Sequence, residues 1–221
     1  GYTNGFNREE EMKPLRIALT KGRLEKDSIA LLERVGYECS SVRNKGRRLI
    51  FPAGGNRLEL VLAKAADVIT YVDQGVCDLG VVGKDTILEK GGIFYEVLDL
   101  GFGKCRFALA GPKGRDFFGG YSSRIIASKY PNFSASYFEK KAMDVRIIKI
   151  EGSVELAPLL GLADAIVDLV ETGTTLRENG LEVIEYICDI SARLIVNTAS
   201  MKLRKKEIDE LIGKLDQAVS R

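Results

Sequence analysis

Short apolar runs alternate with segments of helical periodicity along almost the whole chain. The runs lie at 15–20, 58–63, 78–83, 94–100, 104–111, 124–128, 145–150, 165–170 and 193–198. Those at 145–150 and 165–170 are nearly continuous, which is typical of strands covered on both faces. After the first run, Leu24, Leu31 and Val35 fall on one stripe of a helix, and Gly36 stands at the expected left-handed C-cap. This alternation predicts an α/β fold with mainly parallel sheets.

The number of strands favours two lobes over one large domain in a chain of 221 residues. A break is expected near 92–104, although no Pro/Ser-rich linker marks it. Further helices are predicted over 66–72, 84–90 and 132–142, with a last amphipathic helix that carries Ile208, Leu211, Ile212, Leu215 and Val219.

Composition narrows the class of protein. Hydrophobic residues make up 45% of the chain and charged residues 29%, as in globular proteins. The net charge of +2 leaves no basic surplus for a nucleic-acid-binding surface. No apolar run is long enough for a membrane span or a signal-peptide core, so we expect a cytoplasmic protein with no membrane partner. Residues 1–14 are interpreted as an N-terminal extension, either a tag or a natural polar segment.

The chain contains no histidine, which excludes Ser-His-Asp and Cys-His catalysis and histidine-ligated zinc. Cys39, Cys77, Cys105 and Cys188 include no pair at C-x-x-C spacing. We therefore expect reduced thiols that pack in the core, rather than a disulfide framework. Any chemistry must proceed without imidazole.

The strongest local motif is AIVDLVETGTTL at 165–176. A buried strand would deliver Asp168 and Glu171 to its carboxyl end, and 172–175 would turn into a helix. Backbone N–H groups and the helix dipole favour an anion at such a start, and Gly173 permits its close approach. Carboxylates nearby can hold ribose hydroxyls or magnesium. The motif favours a phosphorylated pentose; the alternative is an ordinary turn with threonine caps.

A second motif, KGRL at 21–24, follows the first strand and opens the first helix. Ligands of open α/β sheets collect at the carboxyl ends of strands, so Lys21 and Arg23 would face an anion. The segment 44–48, NKGRR, adds another cationic loop. The alternative in both cases is a set of solvated surface cations.

Two weaker motifs complete the set. In EGSVELAP, 151–158, Ser153 is a plausible N-cap and Glu155 would face the same side as 168–176. In DLGVVGKD, 78–85, two glycines permit close backbone approach, and Asp85 is expected to begin the next helix.

In this order and spacing, the four motifs resemble the ATP phosphoribosyltransferase family. The resemblance covers residues 15 to about 215, and its long 152–181 stretch is highly specific. The matching stretches are ALTKGRL, RRLIFP, DLGVVGKD, RIIASKYPN, GSVELAPLLGLADAIVDLVETGTTLRENGL and ICDISARLIVN.

The resemblance implies two α/β lobes like those of a type 2 periplasmic binding protein, with the active site in the cleft between them. Lobe I would span 15–100 and 186–221, and lobe II 101–185. The chain resembles the family's short form, which works with a catalytically silent partner resembling histidyl-tRNA synthetase. A homodimer within a hetero-oligomer is expected.

The resemblance also implies roles for individual residues. Arg23 and Arg47 would neutralise the pyrophosphate as catalytic residues, and Mg²⁺ would be held mainly by substrate phosphates. Phosphoribosyl pyrophosphate would be bound by Lys21, Asp168, Glu171, Thr172, Gly173, Thr174 and Thr175. ATP would be bound by Asp85, Ser153 and Glu155.

The implied activity transfers the phosphoribosyl group to N1 of the ATP adenine and releases pyrophosphate, the first step of histidine biosynthesis. Two alternatives stay open at this point. One is a solute-binding or ligand-sensing module on the same fold, which would release no pyrophosphate. The other is a single-domain nucleobase phosphoribosyltransferase, in which KGRL and GSVELAP would have no role.

Overall fold

A computed structural model describes residues 13–120 and 123–220, so all but Lys13 and Pro14 of the predicted extension lie outside the described residues. The chain divides into two compact units. Among the described residues, the first unit contains 13–87, Gly91–Gly103 and 191–220, and the second contains Leu88–Lys90, 104–120 and 123–190.

Both units contain strands and helices, which alternate over much of the chain as the apolar pattern predicted. The strands are β1 (Leu15–Thr20), β2 (Ile50–Ala53), β3 (Leu58–Ala63), β4 (Leu79–Gly83), β5 (Tyr95–Asp99), β6 (Cys105–Pro112), β7 (Arg124–Ser128), β8 (Val145–Lys149), β9 (Ala165–Val170), β10 (Leu181–Ile190) and β11 (Ala192–Val196). The helices are α1 (Arg23–Arg34), α2 (Ala65–Asp73), α3 (Lys84–Lys90), α4 (Pro131–Lys140), α5 (Leu156–Leu159), α6 (Thr174–Glu178), α7 (Thr198–Leu203) and α8 (Lys205–Val219), with a 3₁₀ turn at Ser40–Arg43.

The sheet of the first unit has the strand order β2-β3-β1-β4-β11-β5. Its centre is parallel, since β1 pairs in parallel with both β3 and β4. The flanking strands β2, β11 and β5 are antiparallel to their neighbours. The carboxyl ends of β1, β3 and β4 therefore meet at one edge of this sheet.

The sheet of the second unit has the order β10-β6-β9-β7-β8. Strand β7 is parallel to β8 and β9, whereas β6 is antiparallel to β9 and β10. Both sheets are thus mixed rather than mainly parallel. The apolar pattern missed β10 because two register shifts, at Val183/Glu185 and Tyr186/Cys188, interrupt its alternation of side chains.

Helices cover both faces of the first sheet and account for its near-continuous apolar strands. On one face Leu19 and Leu60 pack in the same buried cluster as Ile208 and Leu211 of α8. On the other face Val68, Ile69 and Val72 of α2 pack with Ile195. No helix in the described parts of the chain is long and apolar enough to cross a membrane.

The second sheet is also buried on two faces. Phe107 stacks on Phe133 with ring centroids 4.0 Å apart, in a cluster that includes Phe138 of α4. A second cluster contains Ile166 and Leu176 of α6. Strand β9 therefore packs against a hydrophobic cluster on each face, and the polar loop follows its carboxyl end.

We expect Asn197→Ala to lower the free energy of unfolding by about 1–3 kcal/mol. Asn197 is 7% exposed; its Oδ1 accepts a hydrogen bond from Ser200 N at the start of α7, and its Nδ2 donates to Val72 O. Alanine removes the helix cap and leaves the buried carbonyl of Val72 without its hydrogen bond from Asn197 Nδ2. Urea unfolding measures the change, and Gln217→Ala, on an exposed position of α8, should stay within about 0.5 kcal/mol of wild type. Equal stability of both variants would contradict this role for Asn197.

Candidate active site

The carboxyl edge of the first sheet carries the KGRL motif. Lys21 N donates to Ala63 O of β3 at 2.8 Å, and Thr20 Oγ1 donates to Val81 O of β4 at 2.9 Å. These bonds tie the ends of three parallel strands together. Gly22, with φ +100°, then allows the sharp entry into α1, which begins at the exposed Arg23.

An ion pair joins the cationic loop 44–48 to the same region. Lys45 Nζ lies 2.7 Å from Oε1 of Glu25, a first-turn residue of α1 that is 6% exposed. Arg48 N donates to Lys45 O and closes a turn that presents Arg47 to solvent. Arg23 and Arg47 are therefore carried by two segments that Glu25 and Lys45 connect.

Asp85 lies in the first turn of α3, whose bounds agree with the helix predicted over 84–90. The side chain is half-buried and lies against Gly83, the last residue of β4. A Cβ added at Gly83 would lie 2.1 Å from Asp85 Oδ1, so only glycine leaves room for this arrangement. Because β4 is a parallel neighbour of β1, Asp85 and Lys21 follow the same edge of the first sheet.

Asp168 lies near the carboxyl end of β9 in the second unit. Burial raises the pKa of its carboxyl group, while a hydrogen bond from Leu169 N and the charge of Lys129 act to lower it and the charge of Glu155 acts to raise it. Lys129 follows β7, the parallel neighbour of β9. A half-buried carboxylate thus lies beside one cation and a second carboxylate.

The segment after β9 forms a tight loop around Gly173, which adopts a left-handed conformation with φ +76°. The hydroxyl oxygens of Thr172 and Thr174 lie 2.9 Å apart, and both residues are exposed. Arg177 folds back over the loop, where its Nη1 donates to Thr172 O at 2.9 Å. The loop therefore presents hydroxyl, backbone and guanidinium donors together.

Two expectations about helix starts need correction. Helix α6 has only five residues, so its dipole adds less than the motif suggested, and the local donors of the loop matter more. Ser153 is not an N-cap: α5 begins at Leu156 with Glu155 at the cap position, and Ser153 only accepts a hydrogen bond from Leu156 N through its carbonyl. Pro158 and the four-residue length of α5 explain the late start.

Comparison with known proteins places this arrangement in a family. The family model for ATP phosphoribosyltransferase matches residues 64–217. ATP phosphoribosyltransferase from Clostridium kluyveri is 59% identical over 208 residues, covering 94% of this chain and 95% of that protein. The enzyme from Listeria monocytogenes is 55% identical, covering 94% and 97%.

The chain belongs to the ATP phosphoribosyltransferase family.

Solved structures agree with the fold. The ATP phosphoribosyl transferase (HisG:HisZ) complex from Thermotoga maritima contains a chain that is 34% identical, with a TM-score of 0.81, covering 93% of this chain and 98% of that one. The periplasmic aliphatic sulphonate binding protein SsuA from Escherichia coli, at 12% identity and a TM-score of 0.61, covers 94% and 73% and shares the fold alone. The expected two-lobed α/β fold and the family resemblance are both confirmed.

Within this ATP phosphoribosyltransferase fold, the predicted residues fall into two sets. The first unit holds Lys21, Arg23, Arg47 and Asp85, and the second unit holds Ser153, Glu155, Asp168, Glu171, Thr172, Gly173, Thr174 and Thr175. Two partners of these residues were missed from sequence, Lys129 and Arg177. Glu25, which pairs with Lys45 of the cationic loop, was missed as well. Lys129 could have been found from the sequence, because it directly follows a predicted strand, as Lys21 does.

The described residues, 13–120 and 123–220, contain no group of three or more His, Cys, Asp or Glu side chains that could hold a metal ion. Within the second-unit set, the charge of Glu155 acts on the carboxyl group of Asp168. One or two carboxylates suffice for Mg²⁺ when substrate phosphates supply further oxygen ligands. The donor set therefore fits a magnesium ion that arrives with its substrate.

We expect Asp168→Asn to raise the free energy of unfolding at neutral pH. Because the pKa of Asp168 is raised in the folded state, the native protein binds more protons than the unfolded chain, and stability falls as pH rises from the ordinary value of 3.8 through the raised one. Asparagine removes this cost and can still accept the Leu169 N–H bond. Urea unfolding at several pH values should show the gain shrinking toward pH 3.8.

Asp144→Asn, at an exposed position of the same unit, is the matched control and should stay close to wild-type stability at neutral pH. A stability loss on Asp168→Asn at pH 7 would show that the carboxylate contributes more to folding than its burial costs.

Proposed function

We propose that this chain joins ATP to phosphoribosyl pyrophosphate in the first step of histidine biosynthesis, by a pentosyl transfer to N1 of adenine. Family membership supports the activity. The observation that carries the chemical assignment is the loop after β9, where the donors around Gly173 follow the half-buried Asp168 in the chain. Such a loop suits the 5′-phosphate, with carboxylates at hand for the hydroxyls of the sugar.

The reaction needs no strong general base at its start. Adenine N1 has a lone pair and no proton, so it can attack the anomeric carbon directly, and a chain without histidine is compatible with this step. The C–N bond forms as the bond to pyrophosphate breaks and the bonding electrons leave with the pyrophosphate. Positive charge grows on the sugar and negative charge on the leaving group, so catalysis rests on positioning and charge stabilisation.

The arginines of the first unit suit the leaving group. Guanidinium groups stay charged and bind phosphate oxygens in a fork, so we assign Arg23 and Arg47 to the departing pyrophosphate, with Lys21 beside them. Arg23 is exposed at the carboxyl edge of the first sheet. Arg47 is exposed on the loop that the Lys45–Glu25 pair anchors.

The carboxylates of the second unit suit the sugar. Asp168 carries charge in a half-buried setting, where it acts strongly on the positive charge of an oxocarbenium-like transition state. We assign Asp168 and Glu171 to the phosphoribosyl group, and Glu155, Ser153 and Asp85 to ATP. Lys129 would hold the Asp168 carboxylate in its ionised form.

Magnesium is proposed as the cofactor. Asp168 and Glu155 are the protein groups that would meet it, and the phosphates of the substrate would supply most of its ligands. When bound, Mg²⁺ would neutralise charge on the leaving pyrophosphate.

A regulatory partner resembling histidyl-tRNA synthetase is proposed as well. The related Thermotoga maritima chain occurs in a HisG:HisZ complex, and the curated relatives have nearly the same length as this chain. We propose the short form of the enzyme, assembled as a homodimer within such a hetero-oligomer.

One assay tests the activity. The purified chain is mixed with ATP, phosphoribosyl pyrophosphate and Mg²⁺, and the ultraviolet spectrum is followed for the N1-substituted adenine while pyrophosphate is measured. Stoichiometric appearance of both products supports the proposal. Binding of either substrate without any product, with and without the partner protein, would contradict it and favour a ligand-sensing role.

Arg47→Ala should keep its fold and lower kcat by about 10²–10³, because one donor to the developing charge of pyrophosphate is lost. The neighbouring Arg48, also exposed, provides the control, and Arg48→Ala should retain near-normal turnover. Steady-state kinetics of both variants decide the assignment. A loss confined to Arg48→Ala would transfer the role to that residue.

Gly173→Val should abolish binding of phosphoribosyl pyrophosphate and affect ATP less. The residue has φ +76°, and its Cβ would lie 2.9 Å from Arg177 Nη1, so the branched side chain strains the loop and fills its donor face. Calorimetric titration with each substrate measures the two affinities.

Gly180→Val controls for backbone strain, since Gly180 has φ +70° and open space around its Cβ position. Equal affinity for phosphoribosyl pyrophosphate in Gly173→Val and wild type would remove the loop from the phosphate site.

A further inference from the structure

Arg177 lies beside the loop, and the family motif assigns it no role. Its guanidinium spans both sides of Gly173: Nη1 donates to Thr172 O at 2.9 Å, and Nη2 lies 3.3 Å from Thr174 Oγ1. It reaches this position from α6, five residues beyond Thr172. The side chain is thus folded onto the loop rather than extended into solvent.

The glycine and the arginine fit each other. A Cβ at position 173 would lie 2.9 Å from Arg177 Nη1, so the guanidinium occupies space that only a glycine leaves open. The planar group carries five N–H donors, and the two contacts with Thr172 and Thr174 leave others for an anion. A phosphate at the hydroxyls of these threonines would therefore come within reach of the fork.

The charge of the region gives a second, independent argument. Between 165 and 180 the sequence contains Asp168, Glu171 and Glu178 as acidic residues and Arg177 as its single cation. A sugar 5′-phosphate brings about −1.5 to −2 further charges at neutral pH. Hydroxyl and backbone donors alone would leave this negative charge without a counter-charge from the loop.

We propose that Arg177 is a phosphate-binding residue, which supplies the positive charge that the loop needs to bind a ribose 5-phosphate group. The inference rests on the proposed function and adds to it a residue that sets the preference for a phosphorylated sugar. The existing contacts hold the guanidinium at the loop before the phosphate arrives, so little side-chain freedom is lost on binding.

The test compares Arg177→Gln, which removes the charge, with Arg177→Lys, which keeps the charge and loses the fork. Loss of a hydrogen bond to a charged group corresponds to about a 10- to 100-fold change in affinity. We expect Arg177→Gln to raise KM for phosphoribosyl pyrophosphate by about this factor, with kcat and KM for ATP little changed. Arg177→Lys should fall between Arg177→Gln and wild type.

Inhibition by two fragments of the substrate locates the effect. Ribose 5-phosphate should inhibit Arg177→Gln about 10- to 100-fold less strongly than wild type, whereas inhibition by inorganic pyrophosphate should be unchanged. Arg146→Gln, which removes an exposed cation from β8 of the same unit, is the control for general loss of positive charge and should behave as wild type.

Two outcomes would overturn the proposal. Unchanged KM for phosphoribosyl pyrophosphate in Arg177→Gln would remove the residue from the phosphate site. Equal impairment of the lysine and glutamine variants would show that the fork only braces the loop and that its charge is not used. In either case the proposed function would still stand if the wild-type enzyme is active. A wild-type chain that forms no product would instead contradict the proposed function itself.

Discussion

Burial of the central strands on both faces is the constraint on which the rest of the molecule depends. Strands β1 and β9 are covered by helices on both faces, so most of their residues are apolar. Thr20 and Asp168 lie toward the carboxyl ends of these strands. The parallel neighbours of each strand then set which polar groups meet. Lys21 and Asp85 share one edge because β1 pairs with β4, and Asp168 approaches Lys129 because β9 pairs with β7.

Charge is distributed unequally between the two sets of site residues. The set in the first unit is dominated by arginine and lysine, which suits a leaving group that gains negative charge. The set in the second unit combines a half-buried carboxylate with hydroxyl donors, which suits a sugar that gains positive charge at one end and carries phosphate at the other. Asp168 illustrates the cost, because burial works against its ionised form and so against folding.

The sequence predicted strands and helices well where an apolar or helical pattern began and ended clearly. Strand β9 and the loop at 171–175 were found in this way, since the apolar run stops at Val170 and glycine and threonine follow. Strand β10 was missed because its bulges break the alternation on which recognition depends. The pair of Lys45 with Glu25 could not be predicted, because it joins residues 20 positions apart through a turn whose path the sequence does not specify.

The bulges of β10 have a further consequence for assembly. This strand lies at the edge of the second sheet, where an unbroken row of backbone N–H and C=O groups would be a template for a strand of another molecule. Its two register shifts interrupt that row, and Glu182 and Asp189 are exposed along it. Growth of the sheet from one molecule into the next is disfavoured here, so association through this edge would have to use side chains rather than continuous backbone pairing.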